Sequence, residues 1–222
     1  MTEVVGERPR VKFSHRREGP RDPAALGAAT DLAEAVLAME ALGCCPVLDD
    51  GLSAGNGALC FGESLLVSPS GRRPGACPPT QVVQVTDFDA ETWTAIHRGE
   101  QKTSPTSDSP LYWAALVDAP TALSWPQRPL AALHGHVLDT ERAAELLDLP
   151  LSHEATEFST PPDRAALWDL MARFPYPAHR VWIRRGHGFF LLAPDLGAAL
   201  EDLEALARRA AALGLLPADA SD

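Results

Sequence analysis

Long apolar runs are missing from this 222-residue chain. That excludes a membrane-spanning helix, which needs about 20 consecutive, mostly apolar residues. An apolar leader is missing as well. The first residues carry Arg8, Arg10, Lys12, Arg16, Arg17 and Arg21 without a hydrophobic stretch, which does not suit a secretory signal. Glu3, Glu7, Glu18 and Asp22 among them dilute the basic charge below that of an organelle-targeting peptide. Positive charge is scarce overall: 19 Lys and Arg against 30 Asp and Glu leave a net charge of -11. Such a field repels phosphate backbones and anionic lipid, so nucleic acid and membrane surfaces are excluded as partners, and a small molecule is expected. The four cysteines, Cys44, Cys45, Cys60 and Cys77, form no CxxC pair. That argues against a zinc ribbon or a disulfide framework and fits a reducing, cytoplasmic setting. Tyrosine is reduced to Tyr112 and Tyr176.

What is present is ordinary globular material, 45% hydrophobic and 22% charged, at a length that suits one core. Residues 1–22 are polar and charged and read as an N-terminal arm; residues 23–217 read as the domain. Leu32, Val36 and Met39 recur at helical spacing before Gly43, a natural C-terminal stop. Two apolar runs around Gly62-Glu63 predict a hairpin, and residues 82–86 and 92–97 predict two strands around a turn at residues 87–90. Residues 109–117 open with a proline in the first turn and predict a helix. A buried strand follows over 130–137 and a short helix over 141–148. Thr160-Pro161-Pro162-Asp163 is a helix start with a cap, a first-turn proline and an acid three residues after the cap. Strands over 181–183 and 189–192 flank Gly186-His187-Gly188, and a last helix begins at Asp195. Helices and strands alternate without a repeat, which predicts one α/β domain with helices packed on a sheet.

Four segments can carry chemistry. His134-Gly135-His136 places two imidazoles at i and i+2, on one face of a strand, where both reach one point. Neutral imidazole suits zinc and other divalent first-row ions. His187 stands between two glycines that leave the backbone free to aim its ring, and three histidines with one open position are a catalytic zinc pattern. Residues 103–110, with Thr106, Ser107 and Asp108, read either as an N-cap cluster or as an anion site whose carboxylate reaches a metal. Gly55-Asn56-Gly57 and Ser68-Pro69-Ser70-Gly71 are turn signals that can also nest an anion. Arg72 and Arg73, just past that second turn, read as two solvated loop arginines rather than as an anion anchor.

Taken in order, Gly55-Asn56, Ser68-Pro69-Ser70-Gly71, Pro105-Thr106-Ser107-Asp108, His134-Gly135-His136 and Gly186-His187-Gly188 resemble the class II aldolase/adducin family over roughly residues 26–210. Residues 157–161 resemble that family's helix start after the histidine strand. The resemblance implies a single three-layer αβα domain, with a mostly antiparallel central sheet and helices on both faces. It implies a divalent metal, usually Zn2+ but also Mn2+ or Co2+, on His134, His136 and His187. Asp108 would be the acidic partner, as ligand, as base, or each in turn. Asn56, Ser70, Gly71, Thr106 and Ser107 fall where the family holds a substrate phosphate. The implied activity is retro-aldol cleavage of a small sugar phosphate or hydroxy-carbonyl compound through a metal-stabilised enediolate. The alternatives are a ribulose-phosphate 4-epimerase-like isomerase and an adducin-like binding module. A homotetramer is implied on the same ground. Asp108 stands where the aldolases have glutamate, as in the epimerases. Neither tyrosine sits where the family has its proton donor; Glu154, Glu157, a water or another subunit would have to supply it. His153 and His179 read as surface or structural residues.

Overall fold

The computed structural model describes residues 13–216. Eight strands build one sheet: β1 (Ser14–Gly19), β2 (Asn56–Phe61), β3 (Ser64–Val67), β4 (Val83–Asp89), β5 (Thr94–Arg98), β6 (Ala131–Gly135), β7 (Val181–Arg184) and β8 (Gly188–Ala193). Their order across the sheet is β1-β5-β4-β3-β2-β6-β8-β7. All neighbouring pairs run antiparallel except β1 with β5.

Alternation along the central strands divides the core into two layers. Ala58, Ala132, Phe190 and Leu192 face one side, where α2 (Ser109–Trp113), a following turn of π-helix, α3 (Ala119–Ala122) and α5 (Pro161–Arg173) contribute Leu111, Tyr112, Leu116 and Leu167. Leu133, Ile183, Phe189 and Leu191 face the other side, against α1 (Leu26–Ala41), α4 (Glu141–Leu147) and α6 (Leu196–Ala212). The result is the expected three-layer arrangement with helices on both faces.

Local chemistry explains most boundaries. Thr160 accepts the Asp163 N–H, Thr140 the Ala143 N–H and Asp195 the Ala198 N–H, so three helices start at side-chain caps. The helix expected over 109–117 instead passes through a π turn at Ala114–Asp118. Pro120, one turn on from Leu116, has no N–H to give that carbonyl, and Arg128 Nε donates to it instead at 3.2 Å. The turn expected at 87–90 also lies further on, because β4 keeps its ladder to Asp89, opposite Thr94.

The segment read as an N-terminal arm reaches into the sheet. Ser14–Gly19 pairs with β5 as the edge strand, and Phe13 packs into the core against Phe88. Residues 1–12 of that arm lie outside the described residues, as do 217–222. Among the described residues no helix is long and apolar enough to cross a membrane.

Candidate metal centre

Asn56 on β2 lies opposite His134 on β6, and His134 opposite Phe190 on β8. This register sets His134 on the α2 side of the sheet. His136 follows two residues later, just past the strand end. His187 sits in the β7–β8 turn, which brings its ring back over the same spot. The three ring centroids form an equilateral triangle 4.7 Å on a side. Asp108 closes the group from the start of α2, and one ligand atom from each of the four residues lies within 4.8 Å of all the others.

Two glycines make this approach possible. A Cβ on Gly135 would stand 2.4 Å from the Phe189 ring and 2.7 Å from the Cys44 carbonyl oxygen. A Cβ on Gly188, at φ +142°, would stand 1.9 Å from the Gly135 carbonyl oxygen. The glycines beside His136 and His187 therefore act through contact between β6 and β8, beyond the conformational freedom expected of them.

The donor chemistry fits a metal. His134 Nδ1 donates to the Phe189 carbonyl at 2.6 Å, which leaves the Nε2 lone pair facing the cluster. That Nε2 is buried without a hydrogen-bond partner, and so are both ring nitrogens of His187. Buried polar atoms in folded proteins are nearly always paired, so several unpaired nitrogens converging on one point are what a cation site looks like without its ion. Burial pushes His134 down to about 3 against the opposing pull of Asp108, and burial together with Arg184 and His134 pushes His187 well below its ordinary value. Both shifts favour the neutral imidazole, the form that ligates a metal.

Asp108 does not cap its helix. Its carboxylate is fully buried, accepts from Asn56 Nδ2 at 2.8 Å through Oδ2 and from Arg184 at 3.4 Å through Oδ1, and lies 3.8 Å from His134 Nε2. Burial alone would raise this carboxyl, but His134, His187 and Arg184 outweigh it and hold the group well below the carboxylate range. Of the two readings open for residues 103–110, the carboxylate at the histidine cluster is the observed one.

A cavity of about 420 Å³ opens above the cluster. His136 and His187 line it; His134 and Asp108 lie beneath. Ser70, Gly71, Thr106 and Ser107 also line it, where the two turns are joined by hydrogen bonds from Ser70 N–H to the Ser104 carbonyl and from Thr106 N–H to the Ser68 carbonyl. Asn56 also reaches the wall, but its side chain is committed at both ends: Nδ2 to Asp108, and Oδ1 to the Tyr112 hydroxyl at 2.5 Å.

Arg72 corrects the sequence reading. It is buried rather than solvated, lines the cavity, and is held by Glu40 at 2.5 Å and Ser53 Oγ at 2.9 Å. Its partners lie on α1 and in a loop far away in sequence, so nothing local announced the pair. Arg73 is exposed as expected. Tyr112, Asp163 and Arg184 were not foreseen near the site. Tyr112 was read only as lacking the family's proton-donor position and Asp163 as part of a helix start, and Arg184 is a charge at the end of an apolar strand, a signal that could have been followed. Glu154, Glu157 and His153 are exposed, and His179 is half-buried against the Phe174 ring.

No family model and no curated protein matches the chain by sequence, but its structure does match solved structures. A sugar-phosphate aldolase from Thermotoga maritima superposes at a TM-score of 0.63 with 13% identity, covering 84% of this chain and 93% of the other. The L-fuculose-1-phosphate aldolase of Thermus thermophilus gives 0.53 with 17% identity over 86% and 94%. An aldolase II superfamily protein from Pseudomonas syringae gives 0.55 with 14% identity over 87% and 78%. The chain has the class II aldolase fold. Within it, the residues that suggested the resemblance from sequence meet at one end of the sheet, around one cavity.

Proposed function

We propose that this protein is a metal-dependent lyase of the class II aldolase type, acting on a small, phosphorylated sugar or hydroxy-carbonyl compound. The observation that carries the reading is the convergence of buried histidine nitrogens without hydrogen-bond partners at the base of one cavity. His134, His136 and His187 would hold a divalent ion, with Zn2+ first and Mn2+ or Co2+ as alternatives. Such an ion supplies a Lewis acid for a substrate carbonyl and its neighbouring hydroxyl.

The chain's own residues do the rest. His134, pinned through Nδ1, keeps Nε2 aimed at the floor. His136 and His187 form the part of the floor that a substrate meets. Asp108, enclosed beneath them, supplies negative charge and a ligand oxygen. Ser70, Thr106 and Ser107 would offer hydroxyls and Gly71 its amide to a substrate phosphate, and Asn56 contributes by holding Asp108. By the same resemblance the protein would be a homotetramer acting in the cytoplasm, with the proton donor supplied by Glu154, Glu157, a water or a neighbouring subunit.

A second reading, a 4-epimerase-like isomerase, draws on the aspartate at position 108. Incubation with ribulose 5-phosphate and other sugar phosphates separates the two: a lyase releases two fragments, an epimerase returns an isomer of the same mass. Elemental analysis comes first. About one ion per chain is expected, with loss of that ion in His134→Ala and His136→Ala. Metal retained in both variants would sink the site.

A further inference from the structure

A guanidinium lies directly behind the metal centre. Arg184, the last residue of β7, is buried in a strand whose other residues are Val181, Trp182 and Ile183, three residues ahead of His187. It grips Asp163 with both oxygens bonded to one nitrogen and reaches Asp108 Oδ1 with the other. Asp163 is itself tied down: it accepts from the Thr156 hydroxyl at 2.8 Å and from the Ser159 N–H at 3.0 Å. Ser159 in turn donates through its hydroxyl to the Ser107 carbonyl, next to Asp108 in the chain. A rigid path thus runs from the first turn of α5 through Arg184 to Asp108.

We propose that Arg184 is a positioning residue for the metal centre, locking Asp108 so that one defined oxygen faces the histidines. The inference rests on the metal-centre reading. Asp108 has two oxygens, and each has its own holder: Arg184 on Oδ1 and Asn56 Nδ2 on Oδ2. Oδ2 is the oxygen 3.8 Å from His134 Nε2. Rotating the carboxylate would break the Asn56 bond at 2.8 Å and the longer ionic contact to Arg184 at 3.4 Å together. A simple structural pair between β7 and α5 would need Asp163 alone. The second carboxylate on the same guanidinium is what ties Arg184 to the metal centre. Lysine would not replace it, because a single ammonium cannot grip Asp163 and span to Asp108 in one plane.

The test is cobalt binding to metal-free protein, followed by the visible absorption of the ion, with melting temperature measured on the same samples. In Arg184→Met/Asp163→Leu, both members of the pair become apolar, so the contact between β7 and α5 is kept while Asp108 loses its clamp. This double variant is expected to melt as a folded protein yet bind cobalt about 10- to 100-fold more weakly, as loss of an outer-shell holder does, with an altered absorption band. Asp163→Asn, which leaves Arg184 on Asp108, should lower the melting temperature while keeping cobalt affinity close to wild type. Arg184→Lys should bind more weakly than Asp163→Asn. Cobalt bound by the double variant as tightly as by wild type, with an unchanged band, overturns the proposal. If the double variant does not fold, the order of the two single variants decides, and Asp163→Asn binding no better than Arg184→Lys overturns it. Wild type that takes up no cobalt overturns the metal centre itself and this inference with it, whereas tight wild-type binding with no effect at Arg184 overturns this inference alone.

Discussion

His15 and His97 pack against each other across β1 and β5, while His134, His136 and His187 pack against each other across β6 and the β7–β8 turn. In the first group the rings bond to each other: His15 Nδ1 and His97 Nε2 share a hydrogen bond of 3.1 Å, and His97 Nδ1 is the one buried nitrogen without a partner. In the second group one nitrogen of His134 is bound outward, to the Phe189 carbonyl, its other nitrogen and both nitrogens of His187 have no hydrogen-bond partner, and one nitrogen from each ring joins the cluster. A carboxylate stands within reach of the second group, and among the described residues no three-ligand group forms around the first. Proximity of imidazoles is common to both. What separates them is where the lone pairs are sent, and that is set by backbone carbonyls and neighbouring carboxylates rather than by the histidines.

The largest expected contrast is in metal content. His134→Ala or His187→Ala should abolish stoichiometric metal, and His97→Gln should leave it at the wild-type level, both read by elemental analysis of purified protein. Equal metal in His134→Ala and His97→Gln would erase the distinction. Next, Gly135→Ala should push β6 and β8 apart, because its methyl meets backbone as well as the Phe189 ring. A loss of about 1–3 kcal/mol in chemical denaturation is expected from such overpacking, accompanied by weaker metal binding. A glycine far from the histidines, such as Gly62, offers open space and serves as the control, although its own φ of +60° favours glycine.

A smaller effect is expected one layer out. The Tyr112 hydroxyl donates to Asn56 Oδ1 and to its backbone carbonyl at 2.9 Å, and Asn56 holds Asp108. Tyr112→Phe leaves Asn56 Oδ1 buried without a donor, a loss of about 1–3 kcal/mol, and should loosen metal binding in the same variant. Unchanged affinity would mean that Asn56 does not depend on its own holder. The smallest effect belongs to the other pair. Burial, with His15 and Arg17 adding to it, pushes His97 down to about 4 from its ordinary 6.5. As pH falls below about 6.5 the unfolded chain takes up this proton first, so the folded state loses stability until the folded histidine itself titrates near 4. His97→Gln should flatten that part of the curve of melting temperature against pH. A wild-type curve of the same slope as the variant's would show that His97 is not its source.

The fold was legible where local rules act alone. The caps at Thr160 and Asp195, the hairpin around Gly62 and the strand carrying His134 all follow from periodicity and turn chemistry within a few residues. The π turn was not legible, because it depends on how Pro120 redistributes hydrogen bonds upstream and on an arginine eight residues beyond. Ser14–Gly19 was not legible as a strand either: all but its last residue are exposed, so it carries no apolar alternation, and it is a strand only because β5 offers it an edge.

The candidate site divides in the same way. His134 and His136 share a face by the two-residue period of a strand, and any sequence with that strand puts them together. That His187 and Asp108 join them depends on β8 lying beside β6 and on α2 starting at the same end of the sheet. The sequence by itself determined the chemical cast: three imidazoles, a carboxylate, small hydroxyl-bearing turns and the glycines between them. The tertiary structure alone decided that Arg72 is buried against Glu40, that Asp163 serves Arg184 as well as its own helix, and that Asp108 turns away from its helix toward the histidines. A residue's type states what it can bond. Which bond it makes is settled by the partners that distant segments bring within 3 or 4 Å, because a buried charge is stable only where such a partner waits for it.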